Sequence, residues 1–216
     1  MYKLRSPMDK GILALEEMVG VKRNFFADLL KEDDWSFIIK LHALFEAACT
    51  HLLLYHLKEP ALAEIVSRLE LSNKSIGKAA FLEKVGLLGK ESRRFVSSLS
   101  ELRNTLVHDV RNSAFSLNDL MGSFDAKGLR DFAVSFSPSE SLTRKFENHP
   151  QLRQASKGRI SKRATITSVI ARAQKDPKIH IWFGAYSVLG SIVDMYDYSD
   201  YKHWTKSAET FGEEST

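Results

Sequence analysis

The segment SELRNTLVHDV, residues 100–110, combines the residue types and the spacing best suited to chemistry in this chain. On a helix, Asn104 and His108 lie one turn apart on the same face, and Arg103 lies at the edge of that face. Arginine is a forked, permanently charged donor for phosphate, and histidine exchanges a proton near neutral pH. This pair suffices for RNA cleavage without a metal, because the histidine moves protons as the 2′-hydroxyl attacks and the arginine neutralises the developing charge. The alternative is structural, with a histidine stabilised at a helix C-terminus beside Asp109 and a solvated arginine.

The elements that must position this segment are predicted to be helices. Apolar residues recur at steps of three and four, as in helices that bury one face. The segments with this pattern are residues 35–57, 61–71, 75–88 and 90–110. Asp33 or Asp34 precedes the first as an N-cap, and Pro60 suits the first turn of the second. No convincing alternating strand pattern occurs, so we expect an all-α fold.

The sequence patterns in the remainder of the chain are weaker, and together with the four helices they predict the following order of segments. We expect core helices over residues 8–110, then short helices and a loop over 111–147, and then a basic segment over 148–176 that includes a short helix. A buried helix over 177–198 and an acidic tail over 199–216 follow. Because 216 residues with 44% hydrophobic content can build one substantial core, residues 1–216 are predicted to form a single domain.

Basic residues are concentrated between Asn148 and Lys175, where seven Lys and Arg occur without any Asp or Glu. As a nucleic-acid surface, this segment would hold phosphate through Arg159, Lys162 and Arg163. The alternative is a solvated loop, which the absence of interleaved aromatic residues favours. The formal charge of the whole chain, +4, permits an anionic partner and does not establish one.

Several other functions have no support in the sequence. His42, His51 and His56 lack metal-ligand spacing with one another and with acidic or cysteine residues, so no metal site is expected. No Gly-rich phosphate loop precedes a helix, so no nucleotide cofactor is expected. The aromatic residues Trp182, Phe183 and Tyr186 lie at helical spacing in an apolar run and are predicted to belong to the core.

Cysteine usage and hydropathy favour a cytoplasmic protein. The single Cys49 lies in an apolar run and is predicted to be a buried thiol in a reducing compartment. The N-terminal apolar stretch is too short for a signal-peptide core. The longest stretch without Asp, Glu, Lys or Arg, residues 179–193, is shorter than a membrane span requires. No membrane partner is therefore expected.

The helix that ends in LRNTLVHD resembles the arginine, polar residue, three spacers, histidine signature of the HEPN superfamily of all-α domains. The segments DDWSFIIKLHALFEAACTHLLLYHL, KAAFLEKVGLLGKESRRFVSSLSELRNTLVHDV and DPKIHIWFGAY are similar to the mannitol operon repressor branch of that superfamily. The resemblance covers most of Trp35 to Tyr198, and the basic segment 148–176 departs from a minimal bundle of that kind.

The resemblance implies a homodimeric helical bundle whose shared cleft is lined by arginine and histidine from both subunits. It implies a metal-independent endoribonuclease of toxin or defence type, held inactive by a nucleotidyltransferase-like antitoxin. Arg103 and His108 would be catalytic, Asn104 would position them, and Glu46 is the candidate for an acidic residue from an earlier helix. The same resemblance gives the alternative, a non-enzymatic transcriptional regulator that acts by contacting a transcription factor or another protein.

Overall fold

A computed structural model describes residues 7–107, 114–137 and 166–213 of the chain, and the side chains of those that lie between residues 10 and 200. Across these ranges the secondary structure is helical and no strand occurs, which confirms the all-α prediction. The α-helices, in chain order, are α1 (Pro7–Met18), α2 (Phe25–Asp28), α3 (Asp34–Leu57), α4 (Ala63–Arg68), α5 (Lys78–Lys84), α6 (Lys90–Val107), α7 (Leu117–Ser123), α8 (Ala126–Ser135), α9 (Ile166–Lys175) and α10 (Pro177–Glu213). Short 3-10 helices occur at Leu29–Lys31 and Pro60–Leu62.

Side-chain caps explain where several helices begin. At α3 the Ser36 backbone N–H and hydroxyl donate to the Asp33 carboxylate at 2.8 and 2.6 Å, so Asp33 is the cap of the two residues that the sequence offered. These bonds favour the ionised carboxylate and lower the pKa of Asp33. Asp125 caps α8 in the same way by accepting the Gly128 N–H at 2.7 Å.

The internal contacts of the chain divide it into two compact units. Unit 1 comprises residues 1–25, 43–89 and 189–216, and unit 2 comprises residues 26–42 and 90–188. Helices α3 and α10 contribute residues to both units. The expectation that residues 1–216 form a single domain stays a prediction.

Unit 1 has an apolar core drawn from α1, the second part of α3, α5 and the second part of α10. A Cβ atom built on Gly11 would lie 2.8 Å from Val193 Cγ1, so a larger residue in α1 would require Val193 of α10 to shift. The buried apolar residues of unit 1 include Leu15, Phe45, Ala48, Cys49, Leu52, Leu53, Leu82, Leu87, Leu189 and Ile192. Cys49 is therefore buried, as the sequence predicted.

Unit 2 has a core of larger aromatic side chains. Phe95 of α6 meets Phe136, just after α8, in an edge-to-face contact with ring centroids 5.3 Å apart. Gly184 of α10 allows the close approach of this corner, because a Cβ atom there would collide with the Phe136 carbonyl oxygen. The other buried residues of unit 2 include Phe26, Phe37, Ile38, Leu41, Val96, Leu99, Leu106, Phe132, Ile181 and Ala185.

Several of the predicted helix boundaries are wrong. The helix predicted over 75–88 begins only at Lys78, because the Asn73 side chain accepts the backbone N–H groups of Ser75 and Ile76 and folds them into a turn. It ends at Lys84, and Gly86 follows with a φ of +80°. The last helix was predicted to end at 198 before an acidic tail, yet α10 continues to Glu213. Residues 199–211 lack Pro and Gly, so the chain itself supplies no reason to stop.

Helix α3 is rich in apolar residues and is the longest of the described helices before α10. By length and composition alone its 24 residues, which include an 18-residue stretch with a mean hydropathy of 1.5, are sufficient to cross a membrane. Half of that stretch is buried within the protein, and its polar side chains bond to other helices, such as His51 to Tyr196. Helix α3 therefore makes part of its contacts inside the protein.

Candidate functional site

Helix α6 carries the chemically promising segment and is anchored by its apolar face. The side chains of Phe95, Val96, Leu99 and Leu106 are at most 1% exposed, and α6 packs against α8 in unit 2. Because this buried face fixes the rotation of the helix about its own axis, the residues between Leu99 and Leu106 on the opposite side face outward. The last described residue of α6, Val107, is exposed.

Arg103 and Asn104 form the described part of the candidate site. Arg103 Nη1 donates a hydrogen bond to Asn104 Oδ1 at 3.1 Å, and Asn104 is exposed while Arg103 is partly buried. No Asp or Glu in the described ranges forms an ion pair with Arg103. Arg68, at the end of α4, differs because it pairs with Glu64. The Arg103 guanidinium therefore offers a positive charge for an anionic group such as a phosphate.

Four of the predicted site residues lie outside the described residues. These are His108 and the three basic residues Arg159, Lys162 and Arg163. Their roles stay predictions, and the arrangement of Arg103 relative to His108 rests on the helical spacing in the sequence.

Glu46, the predicted acidic residue of the site, belongs to unit 1 and contacts a buried lysine there. Lys78 Nζ donates to Glu46 Oε1 at 3.1 Å and to the Ser67 carbonyl oxygen at 3.2 Å. The Lys78 side chain is only 2% exposed, whereas that of Glu46 is 43% exposed. Since a buried ammonium requires an anionic or carbonyl partner, Glu46 has a structural role, and its catalytic role stays a prediction.

The thiol next to this ion pair is unreactive. Burial raises the pKa of Cys49 to about 12, and the nearby Lys78 charge opposes that rise only in part. A thiolate is the nucleophilic form of cysteine. Cys49 is therefore a packing residue of unit 1.

One contact of α6 joins residues that no sequence pattern links. His42 Nε2 lies 3.1 Å from Ser100 Oγ, one helical turn before Asn104. The two residues are 58 positions apart, and no periodicity or motif links them. Only the packing of α3 against α6 within unit 2 brings them together.

The aromatic residues of α10 are only partly in the core. Tyr186 is buried, and Trp182 stacks on Phe26 at 4.8 Å while its indole N–H donates to the Phe26 carbonyl oxygen at 3.0 Å. Phe183, however, is 49% exposed, so the prediction of a core position is wrong for this residue. It lies on the side of α10 away from Gly184 and Ala185, which are buried.

Comparisons with known proteins provide no family for the chain: no family model, no curated protein and no solved structure matches it. Within the described residues, no group of three or more His, Cys, Asp or Glu side chains is arranged to hold a metal ion. The chemistry of the site therefore depends on the residues of α6.

Proposed function

We propose that this protein is a HEPN-type, RNA-directed protein that cleaves RNA without a metal ion, with Arg103 and His108 as its catalytic residues. The observation that supports the proposal is the state of Arg103. Its guanidinium is held by Asn104 at 3.1 Å at the end of a helix whose other face is buried, and no described carboxylate neutralises it. A guanidinium that is oriented towards a phosphoryl group can stabilise the charge that develops on its oxygens.

The proposed reaction assigns one task to each residue. The RNA 2′-hydroxyl attacks the adjacent phosphorus, and the bond from phosphorus to the 5′-oxygen breaks, which leaves a 2′,3′-cyclic phosphate and a 5′-hydroxyl. His108 transfers the protons, Arg103 neutralises the phosphoryl oxygens, and Asn104 orients the guanidinium. DNA lacks the attacking hydroxyl, so it is not a substrate.

We further propose that the protein is a cytoplasmic homodimer, with the α6 segments of two subunits lining one cleft. The resemblance of LRNTLVHD to the HEPN signature supports the dimer, and the buried, unpaired Cys49 supports a reducing compartment. Sedimentation equilibrium tests the dimer, and a nucleotidyltransferase-like antitoxin is the partner to look for by co-purification.

The experiment that tests the proposal is an RNA cleavage assay in EDTA with analysis of the product ends. Wild-type protein should leave 2′,3′-cyclic phosphate. Arg103→Ala should lower cleavage by about 10²- to 10³-fold, His108→Ala should abolish it, and both variants should keep the helical circular dichroism spectrum. The matched control is Arg68→Ala, which removes an arginine that already pairs with Glu64 and should leave cleavage unchanged. Folded wild-type protein that cleaves no RNA would contradict the proposal and favour the non-enzymatic regulator instead.

A further inference from the structure

The ring of His42 bonds to α6 one turn before the Arg103–Asn104 pair. His42 lies in the part of α3 that belongs to unit 2, and its Nε2 atom is 3.1 Å from Ser100 Oγ. Ser100 is only 2% exposed, so water competes little for this contact. Residues three and four apart are neighbours on a helix face, and Ser100 therefore underlies both Arg103 and Asn104.

The hydrogen bonds of Ser100 determine which atom of His42 carries a proton. Ser100 Oγ donates to the Val96 carbonyl oxygen at 2.9 Å, and a serine hydroxyl has one hydrogen to donate. Ser100 Oγ must therefore accept from His42, and His42 Nε2 is the donor. In the neutral ring this assigns the proton to Nε2, and the imidazolium form donates from the same atom.

We propose that His42 is a positioning residue for the end of α6. By donating to Ser100 it holds the turn that carries Arg103 and Asn104, and so sets the direction from which the guanidinium meets a phosphate of the RNA. The effect on RNA cleavage rests on the function proposed above, whereas the holding of the turn does not. A buried acceptor that loses its donor must be desolvated without compensation, which is why a side chain without a donor at position 42 loosens the turn.

The first test compares kinetic constants in EDTA for three variants. His42→Leu keeps similar bulk and removes the donor, and it should lower kcat on RNA by about ten-fold while KM changes less than about two-fold, because orientation and not binding is lost. His42→Gln supplies an N–H at nearly the same reach and should restore kcat to within about two-fold of wild type. The control is His51→Leu, a histidine of α3 in unit 1 that contacts Tyr196, and it should leave kcat unchanged.

A double-mutant cycle tests the path through Ser100. Ser100→Ala removes the acceptor with little change in volume and should reproduce the kcat of His42→Leu. The double variant His42→Leu/Ser100→Ala should be no slower than either single variant, because both remove the same contact. If the kcat losses of the two single variants multiply in the double variant, His42 acts through a contact other than Ser100, and the proposal is overturned. Should His42→Leu fail to fold, Ser100→Ala alone carries the same comparison.

A second readout separates this proposal from the proposed function. Amide hydrogen exchange at residues 103–107 should become about ten-fold faster in His42→Leu and stay at the wild-type rate in His42→Gln and His51→Leu. Wild-type protein that cleaves no RNA would remove the proposed function, and the exchange rates would still decide the role of His42. Unchanged exchange in His42→Leu would overturn the positioning role. Wild-type cleavage with unchanged kcat in His42→Leu would overturn the role of His42 in the reaction while leaving the nuclease intact.

Discussion

Two polar regions of the molecule, one in each unit, differ in how their side chains are hydrogen-bonded. In unit 1, α3 and α10 are joined by side-chain bonds from His51 to Tyr196 at 2.9 Å, from Tyr55 to Asp200 at 2.6 Å and between His56 and Ser199 at 2.9 Å. In unit 2, the end of α6 bonds Arg103 only to its neighbour Asn104 among the described residues. The first region pairs its polar groups with one another and holds two helices together, whereas in the second the described residues supply no carboxylate partner for the Arg103 charge.

The two units also differ in net charge. By sequence, unit 2 has 19 Lys and Arg against 13 Asp and Glu, a formal +6, and unit 1 has 12 against 14, a formal −2. Of the described residues in the proposed site, Arg103 and Asn104 belong to unit 2 and Glu46 belongs to unit 1. A positive excess permits an anionic partner, and under the proposed function RNA binding should weaken as ionic strength rises, because salt screens the attraction.

The largest expected effect separates activity from stability. Arg103→Ala should lower kcat/KM on RNA by about 10²- to 10³-fold and leave the free energy of unfolding within about 0.5 kcal/mol of wild type. Tyr196→Phe, which removes the hydroxyl that contacts His51, should do the reverse and lower only the stability, by about 1 kcal/mol. Enzyme kinetics and urea denaturation measure the two effects. A loss of stability in Arg103→Ala comparable to that in Tyr196→Phe would show that the two regions do not differ in role.

The next effect concerns Glu46, which the sequence assigned to the site and the structure joins to Lys78. Glu46→Gln should lower the free energy of unfolding by about 2 kcal/mol, because it leaves the buried Lys78 ammonium with only a carbonyl partner. The expected cost is below that of a fully buried pair because Glu46 is 43% exposed. Glu46→Gln/Lys78→Met should regain part of it in urea denaturation. Full stability with lost cleavage would instead support a catalytic Glu46.

A smaller effect is a pH dependence of the stability of unit 2. Burial lowers the pKa of His180, and the charge of Arg172 lowers it further, while the bond from Nε2 to the Ala133 oxygen at 2.9 Å partly opposes the shift. Because the unfolded histidine titrates near 6.5 and the folded one below it, stability is full above pH 6.5 and falls as the pH decreases through the folded value. Urea unfolding between pH 7.5 and 5 should show this loss. His180→Gln should flatten the slope, and an unchanged slope would assign the titration to another group.

The smallest expected effect concerns Tyr55 and Asp200, whose hydrogen bond is the exposed one among those that join α3 and α10. The Tyr55 hydroxyl donates to Asp200, and this bond, which is lost when the phenol ionises, raises the pKa of Tyr55. Tyr55→Phe should lower the free energy of unfolding by only about 0.5 kcal/mol, since water solvates both groups once the bond is lost. Denaturation at pH 7 measures this effect. A loss as large as that from Tyr196→Phe would mean that exposure does not weaken the bond of Tyr55 to Asp200 relative to that of His51 to Tyr196.

The helices were predictable where burial follows a regular period. Residues 35–57 were predicted as a helix and form α3 (Asp34–Leu57), because apolar side chains at steps of three and four leave the chain few other ways to bury them. The start of α5 was not predictable, because the Asn73 side chain turns residues 75 and 76 away from a helix that their own pattern favours. The exposure of Phe183 was not predictable, because an apolar run does not reveal which side of a long helix remains exposed.

The sequence by itself determined the all-α class, the amphipathic α6 and the adjacency of Arg103 and Asn104, because helical period and neighbouring residues are local properties of the chain. The tertiary structure alone decided what those residues touch. It supplied Glu46 with a buried lysine 32 positions away and Ser100 with a histidine 58 positions away. Contacts over such separations depend on how whole helices pack, and that packing is the sum of many weak contacts that no short stretch of sequence contains.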